Sequence, residues 1–141
     1  MNKNKTFTPN ANNVKVNWHF VDATDKVLGR FSTQVAKILI GKNKAEYATH
    51  TNVGDKVVIL NAEKIQVTGK KLRDKLYIHH TGFPGGLRSE TLGALKERKP
   101  EQVLKQAILG MLPKNKLRAE RIKNLYIYKG SEHPHKAQEV K

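Results

Sequence analysis

Apolar residues at Val27, Leu28, Phe31, Val35, Ile38 and Leu39 recur close to a 3.6-residue period, and Gly41 follows them as a helix stop. The spacing predicts an amphipathic helix over Val27–Ile40, with Asp25 as its N-cap. Upstream, Trp18–Val21 carries aromatic and β-branched residues and ends at Asp22, which predicts a short buried strand. Downstream, "KVVILNA" is continuously apolar at its centre, the mark of a strand covered on both faces. "LYIHH" predicts a third strand that delivers the segment "TGFPGG" at its carboxyl end.

The second half reads as helical. "SETLGALKER" forms one helical segment, and "PEQVLKQAILGML" a second, with Pro100 suited to a first helical position. Val103, Leu104, Ala107, Ile108, Met111 and Leu112 make its apolar face, and Pro113 closes it. "KNKLRAERIKN" predicts a short, very basic helix and "LYIYKG" a last strand. The order of strands and helices is that of an α/β domain, in which binding surfaces gather at the carboxyl ends of strands. We read residues 1–13 as a flexible extension rich in Asn, Lys and Thr, 14–130 as one domain, and 131–141 as a loosely held tail.

Composition changes the picture through charge. The 141 residues, 38% of them apolar, suffice for one modest core. Lys and Arg number 27 against 12 Asp and Glu, a formal net charge of +15. Such an excess opposes compaction in a free globule and is offset by a polyanionic partner, which points to nucleic acid. In the basic segment, Lys114, Lys116, Arg118, Arg121 and Lys123 have no comparable block of acids within one helical turn, so they read as a phosphate-contacting surface. The absence of cysteine excludes a disulfide framework, a thiolate metal site and a cysteine nucleophile. The amino-terminal residues have no apolar core of the secretory kind, and the longest apolar runs, such as Val57–Leu60, are too short to span a bilayer.

Candidate chemistry concentrates in "YIHHTGFPGG", residues 77–86. Adjacent histidines on a strand point to opposite faces, so one metal ion cannot readily take both His79 and His80. "ILIGKN" has Ala36 where a phosphate-binding loop needs glycine and lacks Ser or Thr after Lys42, so a nucleotide triphosphatase reading fails. "FPGG" lacks the dinucleotide-binding spacing. Gly82, Gly85 and Gly86 serve either a tight turn or close approach of backbone N–H groups to a nucleic-acid backbone. Lys70, Lys71 and Arg88 nearby favour the second reading. No carboxylate pair accompanies a nucleophile, so an enzyme is not expected.

"VDATDKVLGRFSTQVAKILIGKNKAEY", "NAEKIQVTGKK", "YIHHTGFPGG", "RKPEQVLKQAILGMLPKNKL" and "YKGSEHPH" follow one another in an order that resembles the bacterial-type large ribosomal subunit protein thirteen family, from about Trp18 to His135. The resemblance implies a three-layer α/β/α fold with a mostly parallel four-stranded sheet and no enzymatic activity. It implies a cytoplasmic structural constituent of the large (50S) subunit that binds 23S ribosomal RNA, supports early subunit assembly and translation, and adjoins other large-subunit proteins. Carried onto this chain, the RNA contacts it implies are Lys42, Lys44, His50, Lys70, Lys71, His79, His80, Thr81, Gly82, Phe83, Pro84, Gly85, Gly86, Arg88, Lys114, Lys116 and Arg121. Arg118 joins them through its charge. Thr49 and Arg118 depart from the family's proline and glycine, which relaxes one loop and places a charge at an expected turn. No cofactor, membrane or small-molecule substrate is expected, and mRNA is a secondary target. Two other classes remain: a free regulatory binder of mRNA or DNA, and a histidine-dependent nuclease or metal enzyme suggested by His79, His80, His133 and His135.

Overall fold

The computed structural model describes residues 9–10 and 14–139. Strand β1 (Trp18–Asp22), helix α1 (Leu28–Ile40) and strand β2 (Lys56–Leu60) open the domain. They are followed by α2 (Lys71–Asp74), β3 (Leu76–His80), β4 (Leu87–Thr91), α3 (Leu92–Arg98), α4 (Pro100–Met111), α5 (Leu117–Lys123) and β5 (Leu125–Ile127). The chain is thus the mixed α/β domain that the patterning predicts.

Among the described residues the parallel sheet has three strands, in the order β1, β2, β5, rather than four. Val58 lies opposite Phe20 on one side and Tyr126 on the other. The expected further strand, β3, stands outside this sheet: it pairs antiparallel with β4, Ile78 opposite Ser89 and His79 opposite Arg88. The other parallel pairing among the described residues is the single bridge between Val27 and Gln66. Ser89–Thr91 therefore belong to a strand, not to the helix read over "SETLGALKER", because the "TGFPGG" turn folds them back onto β3. Thr91 then caps α3, its hydroxyl accepting from the Ala94 N–H at 3.3 Å.

The alternation of β2 sends Val57 and Ile59 to one face, where Phe31, Val35 and Leu39 of α1 and Val103, Leu104 and Ile108 of α4 complete one buried cluster. Each such side chain, fully buried, is worth about 1.5–3 kcal/mol. The opposite face carries rings rather than a helical layer. Trp18 stacks on Tyr126 with centroids 5.6 Å apart, His135 lies 4.6 Å from Tyr126, and His133 lies 5.3 Å from Phe20. The Tyr128 hydroxyl meets His135 Nε2 at 3.0 Å. The tail expected to be loose thus covers the sheet at least as far as His135; residues 140–141 lie outside the described residues. Of the extension expected over 1–13, only Pro9 and Asn10 are described, and the Pro9 carbonyl accepts from the Thr51 hydroxyl at 3.4 Å.

The amino end of α1 differs from the expected cap, while its carboxyl end stops at Gly41 as expected. Val27, not Asp25, is its N-cap; Asp25 sits at φ +56° and its carboxylate accepts from Gln66 Nε2 at 3.1 Å. At the other end Gly41 takes the left-handed conformation, φ +81°, and its N–H returns to the Lys37 and Ile38 carbonyls. Gly54 lies so close to the Leu39 carbonyl that no Cβ fits there. This approach delivers Asp55, buried, to three donors: the Asn17 N–H at 2.9 Å, His19 Nε2 at 2.9 Å and Lys44 Nζ.

Burial pushes the Asp55 carboxyl up, but the hydrogen bonds from Lys44, Asn17 and His19 and the charge of Lys44 outweigh it and hold it below the ordinary value. A carboxylate with a lowered folded pKa contributes its stability in full above about pH 4 and loses it as pH falls through the depressed value. Asp55→Asn is expected to cost about 1–3 kcal/mol near neutrality. In urea melts at descending pH, wild type should lose this advantage over the variant below about pH 4; a constant gap down to the lowest pH would refute the network.

Candidate nucleic-acid interface

The β3–β4 hairpin projects the "TGFPGG" segment as its tip, at the end of an antiparallel ribbon rather than at the carboxyl end of a sheet strand. The tip closes on itself: the Thr81 N–H donates to the Gly86 carbonyl at 3.0 Å, the Gly86 N–H to the Phe83 carbonyl at 2.9 Å, and the Gly82 N–H to His80 Nδ1 at 3.0 Å. Gly82 and Gly85 hold φ of +89° and +68°, and a Cβ on Gly86 would lie 2.7 Å from the Phe83 carbonyl oxygen. Turn geometry thus accounts for all three glycines before any ligand is considered. Phe83, 74% exposed, and Pro84 stand at the summit.

The two faces of the ribbon differ in chemistry. Tyr77, His79, Arg88 and Glu90 share one; Leu76, Ile78, His80 and Leu87 share the other. His79 therefore lies beside the exposed Arg88, while His80 is engaged by the turn. Ile78 and Leu87 are 61% and 66% exposed, a pair of apolar side chains that charge counting overlooks. The hairpin is anchored by a two-point ion pair, Arg98 to Glu90 at 3.1 and 2.6 Å, which holds the Glu90 carboxyl below its ordinary pKa. At its base α2 presents Lys70, Lys71, Arg73 and Lys75, all exposed. Lys75 was not singled out from the sequence, although its spacing from Lys71 places both on one side of a helical turn.

The loop after α1 forms a second region. Lys42 and His50 are exposed, but Lys44 is not free: it bonds the Asp55 carboxylate and the Lys15 carbonyl, the latter at 2.6 Å. The basic segment after α4 divides likewise. Lys114 and Lys116 are exposed, whereas Arg118 lies in the first turn of α5, not in an open turn, and its Nη2 donates to the Leu109 carbonyl at 2.6 Å, closing the end of α4. Arg121 is 1% exposed and faces inward, so the surface position read from its charge is corrected to an interior one. Of α5, only Arg121 is buried, and a charge run alone cannot reveal which residue the helix turns inward.

His133 and His135 belong to the ring layer on the sheet, remote in role from His79 and His80, and among the described residues no three His, Asp or Glu side chains form a metal-holding group. No described helix is long and apolar enough to cross a membrane. Of the exposed cations described above, those of the hairpin and α2 lie near the amino end of α1, where the Leu28 N–H meets the Gln66 carbonyl, and Lys42 with His50 lies beyond its carboxyl end. Thirteen helical residues separate them by roughly 20 Å. A small ligand cannot touch both regions; an extended polyanion can.

Fold and surface together define a basic α/β protein with exposed cations on several separate elements. Sequence comparison specifies it further: the chain belongs to the Ribosomal protein L13 family, whose model matches residues 16–134. It is 50% identical over 137 residues, 97% of this chain and 95% of the relative, to the large ribosomal subunit protein uL13 of Legionella pneumophila (strain Corby). The protein of that name from Pelobacter propionicus is 53% identical over 97% of this chain and 96% of its own length. That of Geobacter sulfurreducens is 55% identical over 88% of this chain and 87% of its own.

The contrast between inward and outward cations is testable by substitution. Arg121→Ala should lower stability by roughly 2–4 kcal/mol through lost packing, read as a fall in the urea midpoint. Lys116→Ala should leave stability within about 0.5 kcal/mol of wild type. Equal effects of the two would contradict the inward placement of Arg121.

Proposed function

We propose that this protein is a structural constituent of the large ribosomal subunit that binds 23S ribosomal RNA and supports early subunit assembly and translation. Membership in a ribosomal protein family carries the first part and makes it a structural component rather than an enzyme. The observation that carries the RNA contacts is the placement of exposed cations at both ends of a rigid helix in a chain of net charge +15.

The contacting groups are Lys42 and His50 at one end, and Lys70, Lys71, His79, Arg88 and the Thr81–Gly86 tip at the other, with Lys114 and Lys116 between α4 and α5. Lys and Arg displace counterions from phosphates, and Phe83 offers an aromatic face to an unstacked base. Lys44, Arg118 and Arg121 act behind this surface by holding its elements in place. Leu76, Ile78 and Leu87, on the ribbon face without cations, suit a neighbouring ribosomal protein. The same lysines admit mRNA as a secondary target. A fourth strand at the Val27–Gln66 bridge, and with it the three-layer arrangement, belongs to the same reading.

The affinity of the full chain for a 23S ribosomal RNA transcript should fall steeply with salt. Lys70→Ala and Lys71→Ala together should lower the slope of log K against log salt by about 1.4–1.8, two phosphate contacts' worth. A salt-independent affinity, or an unchanged slope in the double variant, would remove phosphate contact at α2 from the account. Cosedimentation with salt-washed large subunits separates a resident component from a free regulatory binder, which would stay at the top of the gradient.

A further inference from the structure

A cavity of about 330 Å³ opens between the amino end of α1, α2 and the carboxyl end of α4. Its size falls within the ~300–1,000 Å³ of small-ligand sites. Leu28, Leu92 and Ala107 form an apolar floor, Gln106 offers an amide, and Lys71 and Lys75 stand at the rim with no acidic side chain among the lining residues. Neither lysine forms an ion pair among the described residues.

Two helical glycines border the same space. Gly29 and Gly110 have ordinary negative φ, and a Cβ on either would meet nothing within 4 Å. Glycine is the poorest helix former after proline, and here neither backbone conformation nor internal packing requires it. Their effect is to hold the cavity open toward the outside.

We infer that this cavity receives one unstacked nucleotide of the bound RNA, its base on the apolar floor and its flanking phosphates on Lys71 and Lys75. Floor and rim together match a base with phosphates, the combination by which proteins capture splayed-out RNA bases. An apolar protein side chain would satisfy the floor and leave Lys71 unanswered, Lys75 Nζ lying over the Tyr77 ring at 5.3 Å. Lys71 and Lys75 also line the adjoining surface of Lys70 and Asp74. The assignment rests on the RNA-binding reading above and adds a specific site to it.

The test uses the full chain and a 23S ribosomal RNA transcript in filter binding. Gly110→Leu fills the cavity without removing a charge, and Gly29→Leu fills it from the α1 side. Either should weaken binding roughly ten- to a hundredfold, the worth of one stacked base, with the salt slope unchanged and the thermal melt not lowered. Wild-type affinity in a folded variant overturns the nucleotide site and leaves the wider reading standing; failure of the wild type itself to bind the transcript overturns that wider reading. Unchanged RNA affinity with lost incorporation into subunits gives the cavity to a neighbouring protein and also overturns the proposal. A readout without substitution comes from the two methionines, Met1 and Met111, of which Met111 lines the cavity. Its methyl resonance should shift when a short single-stranded RNA of mixed sequence is added to the wild type, and an unmoved signal counts against the site.

Discussion

Helix α1 lies on the central strand β2 through Phe31, Val35 and Leu39 against Val57 and Ile59, all in one buried cluster. At its carboxyl end the bare backbone of Gly54 comes up against the Leu39 carbonyl, and the Asp55 N–H donates to the Ile38 carbonyl at 3.3 Å. This seating fixes the distance and direction between the two ends of α1. The hairpin and α2 hang from one end and the loop of Lys42 and His50 from the other, so the spacing of the surface cations is set by the core.

Charge is then divided between holding and reaching. Asp55 gathers Lys44 and His19 at the start of β2, Arg118 closes α4, Arg121 is enclosed beneath α5, and Arg98 ties α3 to the hairpin. Among the exposed cations, Lys42, Lys70, Lys71, Arg88, Lys114 and Lys116 stand on elements these internal contacts keep in place. A free chain bearing so much positive charge is self-repelling, and binding a polyanion relieves that repulsion while retaining the arrangement.

Much of this was legible in the sequence. The periodicity that predicted Val27–Ile40 and Pro100–Leu112 corresponds within a residue to α1 and α4, because strongly apolar faces and the stops Gly41 and Pro113 leave little freedom. β4 was not legible: "LRSET" has neither alternation nor an apolar run, and it becomes a strand only because the tip folds it onto β3. The pattern of β3 marks a strand but not its sheet, since exposed Leu76 and Ile78 mimic the pattern of a buried edge. Arg121 and the packed His133 and His135 escaped for a shared reason. Composition marks such residues as polar, and only the tertiary arrangement shows that a helix face or an aromatic layer has enclosed them.

The central claim is that one rigid domain meets ribosomal RNA at both ends of α1 at once. The natural absence of cysteine permits a direct measurement. Phe83→Cys at the hairpin tip and Asn43→Cys beyond the carboxyl end of α1 each accept a tethered iron chelate, and cleavage of RNA by the radicals it releases can be mapped within assembled large subunits. The account predicts strong cleavage from each position, at different sites in the RNA. Cleavage from one position only, with the other silent in fully assembled subunits, would contradict it.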